Sequence, residues 1–598
     1  MAGGGWSRRW VVLAAAAALG AAPLAAIELT AGPAGALTVI PVTTASDAAL
    51  RAAFTTANTT NDDVEIDIEV GPATITLTGG VLNYTGGTGN SHALTVDGNG
   101  ATVDQTTASS LVFDATSSAS VPLTLNGLTV TGGSGTSAVS DSGGLGISNS
   151  TVTGNHTSAD TVLSNGGTTT ITNTTFSNNV VTTAGECLGI VDAGTTVVTG
   201  STFTGDTCTG TTAADGTLDT GNTTLTDTTL TGEHNTAGTG AAGGTVFPNN
   251  LTISGSVLDA NTNTSSSGNA EGTLDSSTTT VTGSQINNNT NSTGSGGADG
   301  ILDTTGTTIT GSQIDGNTNH TGAGLAEGIV NSEATTVTGS QIDNNTNSTG
   351  SGEAEGTLFP TTLTITDSTV ANNTNSTAAG LAIGAGINVE TDSMSATNST
   401  IANNTNSGTT GSEGGGIFQG SVGAGSTTTT GTAKHAGKTK GGVRAAAGSE
   451  TATLVYDTVV GNTATTGANI DVNQLISFGS VVALPQGGVD CVVAVPTTTN
   501  GFNFSDDATC GFTATTDHQN AGNPNLGAVA DNGGPAPTRL PDPGSPLIDA
   551  IPIASCQADG AAGITTDERG VIRPQGAGCE IGAVEVVPAL VAVPSFTG

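Results

Sequence analysis

Acidic residues are the side chains of this sequence with the most regular spacing and the clearest chemistry. Four of them recur every 28 residues, at Glu271, Asp299, Glu327 and Glu355. In a chain that repeats at this interval, like charges would stack ~4.8 Å apart and repel each other by about 1 kcal/mol per pair in water. Ca²⁺ relieves such repulsion, because it takes about six to eight oxygen ligands. We predict a solvated acidic face, with calcium binding at these four residues as the alternative.

Catalysis on polysaccharides would require further residues. A lyase acting on polyuronides needs Arg or Lys as base and as partner of the substrate carboxylates, yet the chain has no Lys or Arg from Ala52 to Ala433. A hydrolase of neutral glycans needs two carboxylates facing each other across a groove, and no such pair stands out. Aromatic residues that could stack on sugar rings make up only 3% of the chain. The sequence favours a protein without catalytic activity and leaves a polysaccharide-degrading enzyme, lyase or glycoside hydrolase, as the alternative.

The charge balance excludes one class of partner. The chain has 598 residues with 10 Lys+Arg against 49 Asp+Glu, a formal net charge of −39. A nucleic-acid binder needs the opposite, a basic surface bearing aromatic side chains. We therefore expect no nucleic acid, no cofactor other than Ca²⁺, and an extracellular or cell-surface partner such as a glycan.

The first residues are typical of an export signal. Arg8 and Arg9 precede an apolar stretch from Trp10 to about Ala22, and small residues follow. This order predicts a signal peptide over residues 1–36, with cleavage near residue 26 or 36. The apolar stretch is too short to span a bilayer comfortably. We predict a secreted protein, in part associated with the cell surface, without a transmembrane segment once the signal is removed.

The cysteines support export. An even number of cysteines in an exported chain favours disulfides, and sequence order suggests that consecutive cysteines pair. The predicted pairs are Cys187 with Cys208, Cys491 with Cys510, and Cys556 with Cys579.

A short internal repeat predicts the architecture. The repeat consists of an aliphatic residue, a polar residue and then a turn-prone Gly, Asp or Asn. The spacing between successive turn-prone residues becomes constant at 28 residues. These residues are Asn149, Asn173, Gly200, Asp227, Gly255, Gly283, Gly311, Gly339 and Asp367. A fixed period means that each unit stacks on the previous one with the same cross-section. Outward Thr residues flank one inward aliphatic in Thr280-Val281-Thr282, a period of two that indicates strands. About three strands per unit predict an all-β parallel β-helix of roughly 13 to 15 coils and ~65 Å in length.

The repeat also predicts which side chains point inward. Three aliphatic columns are expected inside the rod, namely Ile253, Val281, Ile309, Val337 and Ile365; Leu258, Ile286, Ile314, Ile342 and Val370; and Leu274, Leu302, Val330 and Leu358. Asparagines repeat at the same interval, and stacked Asn side chains hydrogen-bond one another and tolerate left-handed turns. Their columns are Asn261, Asn289, Asn317, Asn345 and Asn373, and Asn263, Asn291, Asn319, Asn347 and Asn375. We interpret both as internal ladders, with a glycan or ligand array as the alternative.

Outward threonines offer a further binding surface. Thr pairs two residues apart recur along the repeat, at 224/226, 280/282, 308/310, 336/338 and 364/366. Such pairs on a flat parallel sheet resemble the arrays of β-helical ice-binding proteins, although Thr is also a common outward strand residue. An ice-binding or calcium-binding repeat surface is therefore the second alternative function.

Composition divides the chain into regions. After the signal, we predict an N-terminal cap with the first strands at 37–90 and the β-helix at 91–470. A loop at 420–448 carries four of the basic residues among Gly, Ser, Thr and Ala, and is predicted to be flexible. A C-terminal module with disulfides is predicted at 471–587, and a tail at 588–598.

Two segments resemble a known family. The motifs are Pro543-Gly544-Ser545-Pro546-Leu547-Ile548-Asp549, Thr566-Asp567-Glu568-Arg569-Gly570, Arg573-Pro574 and Cys579-Glu580-Ile581-Gly582-Ala583-Val584-Glu585. Over roughly residues 480–587 the chain resembles the C-terminal choice-of-anchor Q module of secreted bacterial right-handed β-helix proteins. Leu50-Arg51-Ala52-Ala53 is similar to the CSLREA N-terminal cap of such proteins, with Ala48 and Ala49 in place of its Cys-Ser. The resemblance implies a pectin-lyase-like right-handed solenoid at the cell surface or released, and implies no particular reaction.

Overall fold

The chain folds into a parallel β-solenoid of about 13 turns. The structure is a computed structural model that describes residues 37–87, 89, 91–116, 122–158, 161–390, 392–420, 450–557 and 561–588. The predicted signal peptide, almost the whole of the predicted basic loop, and the tail beyond residue 588 lie outside these residues. The all-β β-helix expected from the 28-residue period is confirmed, and so is the number of coils.

Three parallel sheets run along the rod, and we name them faces A, B and C. Face A comprises Leu37–Val42, Asp63–Ile68, Leu82–Tyr84, Leu94–Asp97, Phe113–Ala115, Leu123–Asn126, Val139–Asp141, Leu145–Ser148, Leu163–Thr172, Val191–Thr199, Leu218–Thr226, Val246–Ser254, Leu274–Thr282, Leu302–Thr310, Val330–Thr338, Leu358–Thr366, Ile387–Val389, Met394–Thr397, Ile417–Gln419, Thr451–Val455, Ile470–Val472, Gln474–Phe478, Cys491–Val493 and Thr498–Thr499. Face B comprises Thr74–Leu77, Thr102–Gln105, Thr129–Thr131, Thr151–Thr153, Thr175–Ser177, Thr202–Thr204, Thr229–Thr231, Val257–Asp259, Gln285–Asn287, Gln313–Asp315, Gln341–Asp343, Thr369–Ala371, Thr400–Ala402, Thr458–Val460, Val481–Ala483 and Phe504–Ser505. Face C comprises His156–Thr157, Val180–Thr183, Thr207–Gly210, His234–Ala237, Thr262–Ser265, Thr290–Thr293, Thr318–Thr321, Thr346–Thr349, Thr374–Thr377, Thr405–Gly408, Thr463–Ala464 and Gln486–Gly487. Shorter strands lie at one corner, at Glu186–Cys187, Ala213–Ala214, Ala326–Glu327, Ala354–Glu355, Leu381–Ile383 and Gly411–Glu413.

The predicted inward columns form the core of the rod. Each member pairs in register with the next, as in Val281 with Ile309 and Leu302 with Val330, and all of them are fully buried. The turn-prone position of the repeat also has the expected backbone. All nine of its residues have positive φ, for example 51° at Asn149 and 56° at Gly283, which is the left-handed region that Asn, Asp and Gly tolerate best.

The asparagine columns are internal ladders, as predicted. In the first column, Asn289 Nδ2 donates to Asn317 Oδ1 at 3.1 Å, and Asn317 Nδ2 donates to Asn345 Oδ1 at 3.0 Å. The second column repeats this pattern, with Asn263 Nδ2 donating to Asn291 Oδ1 at 3.0 Å. These side chains are fully buried and bonded to one another, so the alternative of an exposed glycan or ligand array on these columns is wrong.

A third ladder is made of hydroxyl groups and was not predicted. Backbone N–H groups donate to the Ser Oγ of the next coil at 3.1–3.2 Å, from Ser256 to Ser284 and onward to Ser312 and Ser340. Each of these hydroxyls in turn donates to a carbonyl two residues earlier, as Ser284 Oγ does to Thr282 O at 2.8 Å. Buried polar groups thereby keep hydrogen-bond partners in every coil.

An amphipathic helix covers the N-terminal end of the rod. It spans Asp47–Ala57, is capped by Ser46, and buries Leu50 and Phe54 against the first coils. Arg51, in the CSLREA-like segment, donates to the Val81 carbonyl at 2.8 Å and pairs with Asp47 at 2.5 Å. The helix thus shields the first apolar layer from water.

The three predicted disulfides are confirmed. Cys187 bonds to Cys208, Cys491 to Cys510 and Cys556 to Cys579, and no free cysteine occurs among the described residues. The first links neighbouring coils of the rod, and the other two lie in the predicted C-terminal module. Within the described residues, no helix has the length and apolar character needed to cross a membrane.

The C-terminal segment, residues 526–585, folds back along face B of the last coils. It contains two short antiparallel pairs, Leu526–Ala530 with Thr538–Pro541 and Ile551–Pro552 with Gly578–Cys579, and a 3₁₀ turn at Ile553–Ser555. Hydrogen bonds tie it to the rod, from Ala583 N to Thr458 Oγ1 at 3.0 Å and from Gly582 N to Gly479 O at 2.8 Å.

Candidate functional site

The four predicted acidic residues stack in one column at the corner before face A. Glu327 and Glu355 are register partners in neighbouring short strands. The residues just before the column, Ala270, Ala298 and Ala326, are bridged in the same way. The structure therefore brings the four carboxyl groups together, one coil apart, as the 28-residue spacing predicted.

The solvated face that we expected is wrong for half of this column. Glu271 is only 5% exposed and Glu327 only 8% exposed, while Asp299 and Glu355 are half-buried. The physical reason is contact with the start of the face A strand across the turn that follows, where Asn331 Nδ2 donates to Glu327 Oε2 at 3.2 Å and the charge of Asp303 acts on Glu271. Gly272 has a φ of 127°, and Gly300, one coil on, has a φ of 122°. These turns bring the column against the start of the face A strand instead of leaving it on an open surface.

A second acidic column faces the first across these turns. Asp275 pairs in register with Asp303, and Asp303 with Asn331. Asn331 Nδ2 donates to Glu327 Oε2 at 3.2 Å, which shows that the two columns meet. We refer to Glu271, Asp275, Asp299, Asp303, Glu327 and Glu355 together as the acidic corner. The sequence contained a signal for the second column, since Asp275 and Asp303 are also 28 residues apart.

Phenylalanines occupy the second column on both sides of the acidic corner. Phe247 is the register partner of Asp219, and Phe359 is the partner of Asn331. Both rings are buried, at 4% and 1% exposure. Phe247 therefore separates Asp275 and Asp303 from the earlier acidic pair of this column, Asp192 and Asp219, and Phe359 ends the polar stretch on the other side.

Comparison with known proteins finds no family model, no curated protein and no solved structure that matches this chain. The choice-of-anchor Q and CSLREA resemblances stay predictions. What the chain does must be inferred from its own residues.

Calcium binding at the acidic corner also stays a prediction. Carboxylate oxygens of Glu271, Asp299, Glu327 and Glu355 are the ligand type that Ca²⁺ prefers. The facing column adds Asp275 and Asp303 to the residues that could hold such an ion.

Burial dominates the electrostatics of the acidic corner. Burial, and next the charge of Asp303, raise the pKa of Glu271 to about 7. A carboxyl group whose pKa is higher in the folded than in the unfolded chain stabilises the fold while it is protonated. Its contribution is fully present below the unfolded pKa of about 4.5 and is lost as the pH rises through about 7.

Glu271→Gln should therefore make the protein more stable at pH 8 and leave its stability at pH 4.5 almost unchanged. Glutamine has the same shape without the charge, so the expected gain at pH 8 is about 1–3 kcal/mol in the free energy of unfolding. Urea unfolding at both pH values measures it. Glu333→Gln, which removes an exposed carboxyl group, is the matched control and should change neither value. Equal behaviour of the two variants would contradict the burial argument.

The family-like motif residues at the C-terminus build a buried charged network, here called the docking network. Arg573 Nη1 donates to Glu585 Oε1 at 2.8 Å, with both side chains at most 1% exposed. The Arg573 guanidinium also lies over the ring of Tyr456, 4.1 Å from its centroid. Glu568 accepts hydrogen bonds from the rod hydroxyls of Thr369 at 2.8 Å and Thr400 at 2.5 Å. These motif residues hold the C-terminal segment on the rod, a role that the sequence did not reveal.

Carboxyl groups outnumber cations in the docking network. Glu568 and Asp457 are completely buried, and burial raises the pKa of both well above the usual range for carboxyl groups. Asp457 accepts backbone N–H bonds from Ser399 and Val455, both at 2.8 Å. Arg569 and Arg573 supply the positive charge of the motif, and burial favours the neutral form of Glu568 and Asp457.

A further acidic cluster closes the first asparagine ladder. Asp490 accepts from Asn469 Nδ2 at 2.7 Å and from Ser505 Oγ at 3.0 Å. Burial, together with Asp506, raises the pKa of Asp490 to about 8. A carboxylate oxygen of Asp507 and the sulfur of Cys510 lie within 4.8 Å of it. Because Cys510 is bonded to Cys491, its sulfur is no thiolate ligand, and the cluster caps the ladder.

The predicted threonine pairs point outward from face A. Thr280, Thr282, Thr308 and Thr310 are all exposed. Where the face A strand divides after Leu358–Thr366, a groove of about 370 Å³ opens beside Thr336, Thr364 and Ser395. This surface offers hydroxyl groups and methyl groups, and ice binding on it stays a prediction.

Proposed function

We propose that this chain is an exported, non-catalytic β-helix rod that acts as a structural or adhesion protein at the cell surface or in the extracellular space. The proposal includes the right-handed, pectin-lyase-like form that the sequence resemblance implies. Three disulfides are compatible with an oxidising, extracellular environment. The partner would be an extracellular or cell-surface molecule, with a glycan as the first candidate.

One observation carries the proposal, namely the hydrogen-bonded side-chain ladder that runs along the rod. It links buried groups from Asn155 to Asp490, through side-chain amides in most coils and through the backbone N–H groups of Asp206 and Glu233 where acids replace asparagine. In a solenoid each coil contacts only its neighbours, so stiffness depends on these nearest-neighbour links. A continuous buried ladder with a helix at one end and a docked segment at the other suits a load-bearing rod.

Cell fractionation tests the location and retention of the rod. We expect the protein in the medium and on intact producing cells, where added protease should degrade the surface-bound fraction. A cytoplasmic protein protected from protease would contradict export, and purely soluble protein in the medium would contradict the surface role.

Incubation with polysaccharides tests the absence of catalysis. Purified protein would be incubated with a panel of neutral and acidic plant and microbial polysaccharides, and reducing ends and unsaturated products would be measured. We expect binding to one or more of them without product. Release of product, abolished by Asp275→Asn or Asp303→Asn, would establish the enzyme alternative.

A further inference from the structure

The first asparagine ladder contains two acidic rungs. Followed towards the N-terminus from Asn261, the rung position is occupied by Glu233, then Asp206, then Asn179. Asp206 and Glu233 are each only 1% exposed. The chain has no Lys or Arg from Ala52 to Ala433 that could compensate these carboxyl groups, and the side chain of His234, which follows Glu233, is exposed.

A normal rung shows what the site requires of its side chain. Asn289 Oδ1 accepts from the N–H and from the Nδ2 of Asn261, at 3.0 and 2.9 Å. Its Nδ2 donates to Leu258 O at 2.9 Å and to Asn317 Oδ1 at 3.1 Å. One side-chain atom of each rung therefore accepts, and the other must donate to acceptors on both sides.

Asp206 reproduces only the accepting half of this pattern. Its Oδ1 accepts from Asn179 N–H at 2.7 Å and from Asn179 Nδ2 at 2.9 Å, as in every normal rung. Its Oδ2 is buried and has no hydrogen-bond donor. The next rung offers no donor either, because Glu233 Oε1 accepts the Asp206 N–H at 3.3 Å and Glu233 Oε2 accepts Thr217 Oγ1 at 2.7 Å. An oxygen stands where the ladder needs a donor.

We propose that Asp206 and Glu233 form a proton-binding pair inside the rod, and that loss of its proton opens the ladder between the N-terminal coils and the regular 28-residue coils. A proton on Asp206 Oδ2 turns this atom into the donor that Nδ2 supplies in the other rungs. The neutral acid then replaces an asparagine. Without the proton, two carboxylates face each other in a buried position, and the hydrogen bonds between their two coils weaken. We call this boundary between the coils of Asp206 and Glu233 the joint.

The surroundings of the pair agree with this direction. Burial raises the pKa of Asp206 to about 7, and burial together with the Asp206 charge raises the pKa of Glu233 well above its usual range. The neutral groups that act on them are Asn179, Thr217 and backbone N–H groups. The only charge that acts on Glu233 from this set of neighbours is that of Asp206. The stabilisation is present below pH 4 and is lost as the pH rises through about 7.

The disulfide between Cys187 and Cys208 lies beside this joint. Cys208 follows Asp206 by two residues and connects its coil to the preceding one. The bond keeps these two coils together when the ladder opens, so opening stays local to the pair.

Hydrogen exchange of the full-length protein at pH 5.5 and pH 8 tests the proposal, with protection factors corrected for the intrinsic exchange rates. We expect the amides of Asn179 and Asp206 to lose protection at least tenfold at pH 8, and the amide of Asn289 to keep it. Asp206→Asn should abolish this loss. Asn317→Asp, the matched control, should create the same loss in a regular coil, at the Asn289 amide.

Infrared spectroscopy gives a readout that does not depend on stability. At pH 6 the C=O stretch of protonated carboxyl groups should be weaker in Asp206→Asn than in the native protein. The proposal is overturned if this band is unchanged, if the native rungs are equally protected at both pH values, or if Asp206→Asn keeps the full loss at pH 8.

Discussion

Replacing Arg573 by methionine should lower the free energy of unfolding of the C-terminal segment by about 3–5 kcal/mol, because it leaves a buried carboxylate without its cation. Glu585 is fully buried, and its Oε1 accepts from Arg573 at 2.8 Å. The same substitution removes the donor to Gly582 O at 2.7 Å and the cation over Tyr456. We expect the segment to leave face B while the rod stays folded.

Trypsin reads this out through cleavage inside the C-terminal segment, because the basic loop at 420–448, with Lys434, Lys438, Lys440 and Arg444, is the same in the native and variant proteins and gives both the same background. The rod has no Lys or Arg from Ala52 to Ala433, whereas the C-terminal segment contains Arg539 and Arg569. Cleavage after Arg569 should be slow in the native protein and fast in Arg573→Met, in proportion to the population of the undocked state. Arg539→Met is the control, because half-buried Arg539 makes one hydrogen bond, to Gly527 O.

A double variant separates a lost ion pair from lost packing. In Arg573→Met combined with Glu585→Met, both charges are absent, and replacing a whole buried pair by apolar residues is often close to neutral. We expect protection of Arg569 to return in large part. Unchanged protection in the single variant, or equally fast cleavage in the single and double variants, would refute the role of this pair.

The regular part of the rod was predictable because one period governs every coil. Alternation of Thr with Val or Ile identifies the inward side of a strand, and a constant interval of 28 makes the inward residues coincide from coil to coil. Hence the column through Val281 and Ile309 and the ladder through Asn289 and Asn317 followed from the sequence. The disulfides followed as well, because the six cysteines pair in sequence order.

Features that depend on side-chain surroundings were not predictable in the same way. The acidic column was placed correctly, but its burial depends on the turn at Gly272 and on contacts with a second column, which a period does not reveal. Asp206 and Glu233 were missed because the ladder was traced through asparagines alone, and the interval shortens from 28 to 27 before Glu233. The docking network joins residues such as Thr369 and Glu568 that are far apart in the chain, and no repeat relates them.

Asn317→Leu should cost about 3–6 kcal/mol in the free energy of unfolding, since leucine has a similar volume but breaks the ladder. The Asn289 N–H and Nδ2 lose their common acceptor, at 2.9 and 3.1 Å, in a fully buried position. Ile286 O and Asn345 Oδ1 lose the Asn317 Nδ2 donor, which lies 2.7 and 3.0 Å away. Each buried polar group left without a partner costs about 1–3 kcal/mol.

Urea unfolding followed by circular dichroism measures the cost, and hydrogen exchange locates it. Because each coil stacks only on its neighbours, lost protection should centre on the coils of Asn289, Asn317 and Asn345 and fade within one or two coils. Thr308→Val, an outward and exposed change in the same coil, should stay within about 0.5 kcal/mol of the native protein. If Asn317→Leu costs no more than this control, the ladder does not stabilise the rod, and the load-bearing role that we assign to it loses its physical basis.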